Sequence, residues 1–394
     1  MKNQLYLSLK KVNNNSCFSL IFIILINIFY ASNGWAYHGT ILNSLVILAF
    51  LFGFIDILMH RDFLYRIFLN HRNLTVLFIV LILMTIIKFI LNQDTRLIIS
   101  VMAILIAIYL PLYKIFHITF FTQVITFIIC YFFGGYTHLN YVSVHFGMII
   151  LLYLIISYKT NQFNVKYSLL LLIVGYFLSK SGAFLICCGL AILMFYSLKL
   201  KLKYLLTRLK IVEYYFPCMI LLTVILGLAY MSFANDYINF GILRTFTPKF
   251  LCNIFASILR LIDKVFTGRI SLGGYSLYYF GASLFGGNID YSVNIGLKYF
   301  VVDSGLLLLL QDWGLIITAL MCVIFVMLMR MLMKNREYAL IVYTLIIILW
   351  SFNEDVFISV GSNFAFYIFG YELRKRYINA HELKQRSKNE YLFI

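Results

Sequence analysis

The stretch LTVLFIVLILMTIIKFIL at residues 74–91 contains a single charged residue, Lys88. A helix needs about 20 apolar residues to cross the ~30 Å hydrocarbon core of a bilayer, so this stretch predicts a transmembrane helix. The rest of the chain has the same character, since 63% of its 394 residues are hydrophobic and 12% are charged. Soluble domains carry about 45–50% apolar and about 25% charged residues, which excludes a soluble fold for this chain.

Similar windows recur along the chain and predict an all-α polytopic membrane protein of about twelve helices, in one membrane domain (1–394). Long Leu, Ile and Phe runs with only three prolines favour helices over a β-barrel, whose strands would alternate apolar and polar residues. The windows lie near 17–36, 41–59, 74–91, 97–113, 118–133, 141–158, 167–179, 183–198, 211–232, 306–332, 338–352 and 356–371. The first window could be a signal peptide, but we expect a retained helix because no clear small-x-small cleavage site follows it.

The basic residues predict the orientation of these helices. With a cytoplasmic N-terminus, 23 of the 32 Lys and Arg residues fall in cytoplasmic segments, including a basic tail at 372–394. We therefore expect a multi-pass protein of the cytoplasmic (inner) membrane with both termini inside. The net charge of +17 does not indicate nucleic-acid binding, because the basic residues lie in short loops between apolar runs.

One predicted outer segment, residues 233–303, is far longer than an ordinary connection between helices. Asn253, Ser257, Arg260 and Lys264 recur there at helical spacing, with apolar residues on the other sides. This pattern predicts an amphipathic helix on the outer membrane surface, ended by Gly268. The segment as a whole is predicted to be a large extracytoplasmic loop.

The same loop carries more basic than acidic residues, contrary to the positive-inside trend. Its bases are Arg244, Lys249, Arg260, Lys264, Arg269 and Lys298, and its acids are Asp236, Asp263, Asp290 and Asp303. Arginine offers a planar fork of donors that suits phosphate or diphosphate oxygens. Two interpretations follow: an anion-binding cluster, or a solvated loop whose charges pair with one another.

Short motifs in and around this loop give a more specific indication. In order they are Thr267-Gly268-Arg269-Ile270-Ser271, Leu284-Phe285-Gly286, Tyr299-Phe300-Val301-Val302-Asp303-Ser304 and Trp313-Gly314-Leu315-Ile316. This series resembles the bacterial O-antigen, capsular and exopolysaccharide repeat-unit polymerases (Wzy-type) and the related O-antigen ligases. The turn at 135–140 (GYTHLN) looks like their Gly-x-x-His-Pro-Asn turn, with Leu139 in place of Pro. At 179–182 (SKSG), Lys180 stands where the family often carries Arg.

The resemblance implies a GT-C-like architecture and an enzyme that joins polyprenyl-diphosphate-linked oligosaccharide repeat units outside the cytoplasmic membrane. An acceptor sugar hydroxyl would attack the donor anomeric carbon and expel polyprenyl diphosphate. The implied catalytic residues are Arg269, Arg244 and Asp303, and the implied substrate-binding residues are His138, Asn140, Lys180, Arg260 and Asp290. Arginine can stabilise a departing diphosphate without a metal, so we expect no cofactor. The implied partners are the lipid bilayer, a chain-length regulator and a flippase.

Two other functions remain open. An O-antigen ligase would differ in its acceptor rather than in its fold. A flippase of lipid-linked oligosaccharides belongs to a different class, but transporters usually show repeated halves, whereas this chain shows one asymmetric loop. Two roles also remain open for Glu354 and Asp355 in the last predicted outer turn: facing the same cavity as Arg269, or capping the twelfth helix.

Overall fold

A computed structural model of the protein describes most of the chain, and the described part is helical. The described residues are 17–32, 40–69, 72–92, 95–200, 210–234, 247–266, 268–287, 303–357 and 363–390. In chain order the helices are α1 (Cys17–Ala31), α2 (Thr40–Met59), α3 (Arg61–Leu69), α4 (Arg72–Asn92), α5 (Arg96–Tyr109), α6 (Leu112–Phe132), α7 (Leu139–Lys159), α8 (Val165–Ser179), α9 (Gly182–Lys199), α10 (Lys210–Ala234), α11 (Lys249–Val265), α12 (Arg269–Phe280), α13 (Gly305–Lys334), α14 (Tyr338–Ser351) and α15 (Ala365–Glu390). The predicted all-α fold class is confirmed.

Six of the described helices are long and apolar enough to cross a membrane, namely α4, α6, α7, α9, α10 and α13. Helices α2 and α3 add a bent pair, with an angle of 68° between Ser44–Met59 and Arg61–Phe68. Helices α1, α5, α8 and α14 are apolar but shorter. Each of the twelve predicted windows overlaps a helix, while the number of twelve spans stays a prediction.

The C-terminal helix differs from its predicted window at 356–371. It begins only at Ala365, and it continues through most of the predicted basic tail (372–394). Asn363 explains the start, because its side-chain oxygen accepts a hydrogen bond of 3.1 Å from the Ala365 N–H. Two apolar residues at the start of the predicted window, Val356 and Phe357, are fully buried without being helical. Hydropathy alone cannot distinguish a buried segment of irregular backbone from a membrane-spanning helix.

Helix α5 forms the centre of the bundle, with 11 of its 14 residues buried. Helix α15 packs along it so closely that a Cβ on Gly370 would lie 2.1 Å from the Ile104 carbonyl oxygen. Nη1 of Arg374 donates a hydrogen bond of 3.0 Å to the carbonyl of Tyr109, the last residue of α5. The surrounding helices expose apolar side chains such as Ile90 (71%), as expected of surfaces in lipid.

One end of the bundle is joined by ion pairs. Glu337, in the turn between α13 and α14, binds both Lys159 at the end of α7 and Lys375 in α15. Near the end of α13, Nε of Arg330 lies 2.7 Å from Oε2 of Glu213 at the start of α10. The sequence predicts that the basic residues of these pairs, Lys159, Arg330 and Lys375, are cytoplasmic. Residues predicted to lie on one side of the membrane therefore lie at the same end of the bundle.

At the opposite end, helix α13 starts irregularly. A first turn at Gly305–Leu308 leads into a π-helical turn at Leu309–Trp313, the backbone leaves helical geometry at Gly314 (φ +85°), and regular α-helix follows. Such turns carry one extra residue and are frequent at functional sites. Gln311 ties this turn to α12, since its amide donates to the Ser276 carbonyl (3.1 Å) and accepts from the Ser276 hydroxyl (2.6 Å).

Residues 281–287 pack against the π-helical turn, backbone to backbone. Two N–H groups in the first regular turn of α13 donate to carbonyls of this segment, at 3.0 and 3.2 Å. Gly286 and Gly314 meet here with φ values of +76° and +85°. A Cβ on Gly286 would lie 2.0 Å from the Asp312 carbonyl oxygen. The motifs at 284–286 and 313–316 therefore pack against each other. Glycine permits this contact because it has no Cβ and adopts a positive φ without strain.

Lys88, the single charged residue of the apolar stretch at 74–91, points into the protein. Lys88 is 1% exposed, and its Nζ binds the carbonyl of Asp312 in the π-helical turn. Arg96, at the start of α5, places Nη2 3.1 Å from Oδ2 of the same Asp312. A charge in a membrane helix that pairs inside the bundle avoids the penalty of facing hydrocarbon.

The predicted amphipathic helix is confirmed as α11. Cys252 and Ala256 are buried, whereas Phe250 (73%) and Leu261 (65%) are exposed. Gly268, with φ of +83°, follows shortly after its end, as predicted. Its location on a membrane surface stays a prediction.

Helix α12 also belongs to the predicted outer loop (233–303), but it packs against the apolar helix α10. A Cβ on Gly274 would lie 2.6 Å from the Gly227 carbonyl oxygen. Small residues of this kind let two helices approach closely. Part of the loop is therefore built into the bundle, and it carries Arg269 with it.

Candidate functional site

Arg269 is the first residue of α12, and its neighbours fix its position. Gly268 before it has a φ of +83°, which glycine adopts without strain. Oδ1 of Asp263 in α11 accepts hydrogen bonds from the backbone N–H groups of Ile270 and Ser271, both at 2.9 Å. A carboxylate at a helix start satisfies N–H groups that lack partners within the helix, and it interacts favourably with the helix dipole. Asp263 thus fixes the start of α12 against α11.

The guanidinium of Arg269 lies between two carboxylates from distant parts of the chain. Nη2 is 2.5 Å from Oδ2 of Asp303 and 4.0 Å from Oε1 of Glu354. Nε donates a hydrogen bond of 3.3 Å to the backbone carbonyl of Asn353. The Arg269 side chain is only 10% exposed, so these charges interact with less solvent screening than on a surface. We call Arg269, Asp303 and Glu354 the charged cluster.

Contact between two turns brings the carboxylates together. The Ser304 hydroxyl donates to the Ser351 carbonyl at the end of α14 (3.4 Å). The Gly305 N–H donates to the Glu354 carbonyl (3.2 Å), and a Cβ on Gly305 would lie 3.1 Å from the same oxygen. The start of α13 is therefore held against the turn after α14, which fixes Asp303 relative to Glu354.

Burial changes the protonation of both carboxylates. Desolvation raises the pKa of Glu354 to about 8; Arg269 opposes this shift, and Asp303 and Asp355 add to it. Desolvation also raises the pKa of Asp303, and the nearby Arg269 and His138 oppose this shift. The side chain of Asp303 is the more exposed of the two, 20% against 7%. The cluster thus combines a carboxylate paired with Arg269 and a second one that exchanges its proton near neutral pH.

Three predicted substrate-binding residues lie on turns or at a helix start. His138 directly precedes α7, Asn140 lies in its first turn, and both are exposed. His138 acts electrostatically on Asp303, so this turn lies close to the charged cluster. Lys180 joins α8 to α9 in a left-handed conformation (φ +50°) and is exposed. The structure thus connects His138 with the cluster, and the roles of Asn140 and Lys180 stay predictions.

Arg260 makes a contact typical of a structural residue. Its Nε and Nη2 donate to the carbonyl of Ala234, at 3.3 and 3.1 Å. Ala234 ends α10, so the guanidinium satisfies a carbonyl at a helix terminus, where positive charge is also favourable. Arg244 and Asp290 lie outside the described residues, and their predicted roles stay predictions.

Glu354 was not among the catalytic or substrate-binding residues predicted from the sequence. Of its two open roles, the structure supports the first, because Glu354 contacts the Arg269 guanidinium. Asn363, not Glu354, caps the last helix. The signal in the sequence was a polar triplet, 353–355, between two apolar windows. The sequence left open whether this triplet faces Arg269, 85 positions earlier in the chain, and the structure decides that question for Glu354.

Among the residues that the structure describes, no group of three or more His, Cys, Asp or Glu side chains is placed to hold a metal ion. Comparison of the chain with known protein families, curated proteins and solved structures finds no match. The chemistry of the charged cluster is therefore the main guide to function. A buried arginine suits an oxygen-rich anion, and a carboxylate that titrates near neutral pH suits proton transfer.

Proposed function

We propose that the protein is a membrane glycosyltransferase that polymerises polyprenyl-diphosphate-linked oligosaccharide repeat units into a surface polysaccharide. The observation that carries the proposal is the charged cluster, in which Arg269 lies between Asp303 and Glu354. It lies at the end of the bundle opposite the Glu337 ion pairs, where the sequence predicts the outer face of the cytoplasmic membrane. A lipid-anchored diphosphate would reach this end from the outer leaflet.

The transfer needs charge stabilisation and a proton acceptor, and the cluster offers both. As the bond between the anomeric carbon and the diphosphate breaks, negative charge develops on the leaving oxygen. Arg269 can stabilise that charge, and it does so best in a site with little water. A carboxylate beside it can accept the proton of the attacking hydroxyl. A flippase would need the anion-binding part of this arrangement but not the proton acceptor.

The direct test uses purified protein in nanodiscs with lipid-diphosphate repeat units, with products resolved by size. We expect a ladder of products that differ by one repeat unit. A single transfer to a different acceptor lipid would identify an O-antigen ligase instead. Movement of substrate between leaflets without any new glycosidic bond would identify a flippase and refute the proposal.

We also predict that this transfer is independent of metal ions. The outer acids Asp236, Asp263, Asp290, Asp303, Glu354 and Asp355 are scattered along the sequence among basic residues. Asp303 and Glu354 do meet in the structure, but they meet around the Arg269 guanidinium, and among the described residues no group of three or more acids is placed to hold a metal ion. Mg²⁺ or Mn²⁺ would need hard oxygen ligands converging on one point, whereas arginine already supplies positive charge to the diphosphate. Excess EDTA should leave the product ladder unchanged. A ladder that disappears on chelation and returns with Mg²⁺ or Mn²⁺ would contradict this expectation.

The proposed orientation can be tested with a matched pair of lysines. Lys264 on α11 and Lys334 at the end of α13 are both exposed in the structure. In a variant lacking the native cysteines, a membrane-impermeant thiol reagent added outside should label Lys264→Cys and spare Lys334→Cys. The reason is the positive-inside distribution, which places residues 233–303 outside. Labelling of Lys334→Cys, or of cysteines at 199–210, in intact cells would reverse the topology.

A further inference from the structure

The two carboxylates of the charged cluster are not equivalent. Oδ2 of Asp303 lies 2.5 Å from Nη2 of Arg269, whereas Oε1 of Glu354 lies 4.0 Å from the same atom. Asp303 therefore forms a close ion pair, and Glu354 feels the guanidinium only at longer range. Close pairing lowers the basicity of a carboxylate, because the guanidinium stabilises its charged form, and it offsets part of the rise that burial causes in the pKa of Asp303.

We propose that Glu354 takes the proton of the attacking hydroxyl and that Asp303 is a positioning residue for Arg269. This assignment rests on the proposed function, since it names the proton acceptor of that reaction. It also differs from the prediction from sequence, which gave Asp303 as a catalytic residue and His138 and Asp290 as substrate-binding residues.

The surroundings of Glu354 favour it over His138. Its side chain is 7% exposed, while His138 lies on an exposed turn. The backbone at Glu354 is held at both ends of the residue: its N–H donates to the Trp350 carbonyl (2.9 Å), and its carbonyl accepts from the Gly305 N–H (3.2 Å). A general base must stay within hydrogen-bond reach of the proton it removes, which a fixed and largely dry position allows.

The charged and titratable groups around Glu354 explain how it can work near neutral pH. Arg269 faces it from α12, Asp303 from the turn before α13, Asp355 from its own turn, and the Cys187 thiol from α9. Burial and the two neighbouring acids raise the pKa of Glu354, and Arg269 limits the rise to about 8. A base is most effective when its pKa lies near the working pH.

The step balances without a further reactant. The acceptor oxygen forms a bond to the donor anomeric carbon, and the bond from that carbon to the diphosphate oxygen breaks with its electron pair on the diphosphate. The hydroxyl proton passes to the Glu354 carboxylate and then to water. Arg269 faces the negative charge of the departing polyprenyl diphosphate, and Asp303 holds Arg269 in place.

The first test is the pH dependence of polymerisation by the purified protein. A base acts in its deprotonated form, so the wild-type rate should rise with pH through about 8. Glu354→Gln should lower the rate about 10²–10⁴-fold and leave a residual rate without this rise, while donor binding is retained. Asp355→Asn, at an exposed neighbouring residue, is the matched control and should keep the maximal rate. It should move the midpoint of the pH profile to slightly lower pH, because the negative charge of Asp355 raises the pKa of Glu354.

Asp303→Asn separates the two roles. It should weaken donor binding and raise KM, because Arg269 loses its close partner, but the rise of the rate with pH should persist. Infrared difference spectra give a readout independent of catalysis: a protonated carboxyl band should disappear as the pH passes about 8, and Glu354→Gln should lack it.

Each failure has its own signature. An active wild type with a Glu354→Gln variant of similar rate and pH profile would overturn the role of Glu354 and leave the proposed function intact. A carboxyl band unaffected by Glu354→Gln would overturn it as well. A wild-type protein that builds no polymer would overturn the proposed function, and this role of Glu354 with it.

Discussion

Arg269→Ala is expected to abolish polymer while the lipid-linked single repeat unit still accumulates. The variant removes the guanidinium that faces the departing diphosphate, and loss of one such donor costs about 10²–10³ in rate. Arg269→Lys should restore little activity, because an ammonium group lacks the planar fork that can bridge two diphosphate oxygens. The measurement is polymer length in cells, with protein level determined in the same samples.

The variant also leaves two buried carboxylates without their common partner, which is destabilising in its own right. The double variant Arg269→Ala/Asp303→Asn removes one of these charges and should recover protein level without recovering polymer. Lys264→Ala removes a positive charge from the exposed face of α11 and serves as the matched control, with normal polymer expected. Full-length polymer in Arg269→Ala cells would exclude this residue from the mechanism.

Gly286→Ala should be the most damaging of the small substitutions in the outer segment. Its Cβ would lie 2.0 Å from the Asp312 carbonyl oxygen and 2.8 Å from the Gly314 nitrogen, and the φ of +76° disfavours any residue with a Cβ. Left-handed backbone strain and overpacking each contribute roughly 1–3 kcal/mol of destabilisation. We expect a clearly lower melting temperature in detergent and reduced polymer.

The neighbouring Gly287 is a stringent control. A Cβ there meets nothing within 4 Å, and its φ is not in the left-handed region. Gly287→Ala should therefore keep the wild-type melting temperature in the same assay. Equal melting temperatures for Gly286→Ala and Gly287→Ala would show that segment 281–287 does not pack against the π-helical turn as described.

Much of the fold could be predicted because lipid imposes a simple rule on sequence. A helix in hydrocarbon must be apolar over most of its surface, so hydropathy finds it, and each predicted window overlaps a helix. The same rule fails where apolar residues are buried in irregular backbone. Phe357 is such a case, and the start of α15 is misplaced for that reason.

The candidate site was only partly predictable. Arg269 and Asp303 stood out from their motifs, and the structure places them in an ion pair. Glu354 was visible as a polar residue between apolar windows, but the choice between its two open roles depends on the contact between the turns before α13 and after α14. Such contacts are set by tertiary packing rather than by local pattern, so one sequence cannot reveal them.

The burial of Lys88 illustrates the same limit. A lysine near the end of an apolar stretch can extend toward the membrane surface, yet here its ammonium binds the Asp312 carbonyl. In a regular α-helix the Ile316 N–H would bond that carbonyl, but here it donates to the Leu284 carbonyl (3.2 Å). Hydropathy cannot register such a local departure from regular geometry.

The π-helical turn at Leu309–Trp313 also affects how Asp303 is rotated about the axis of α13. Successive residues of an α-helix are rotated by about 100° around its axis, so one extra residue in a turn swings everything before it by a comparable amount. Asp303 lies before this turn, and the long regular part of α13 lies after it. The direction from which Asp303 meets Arg269 therefore depends on how many residues lie between Asp303 and the regular part of α13. Inserting or deleting a residue in this turn would therefore rotate Asp303 relative to the regular part of α13. The geometry of the charged cluster would change even though its three residues stayed the same.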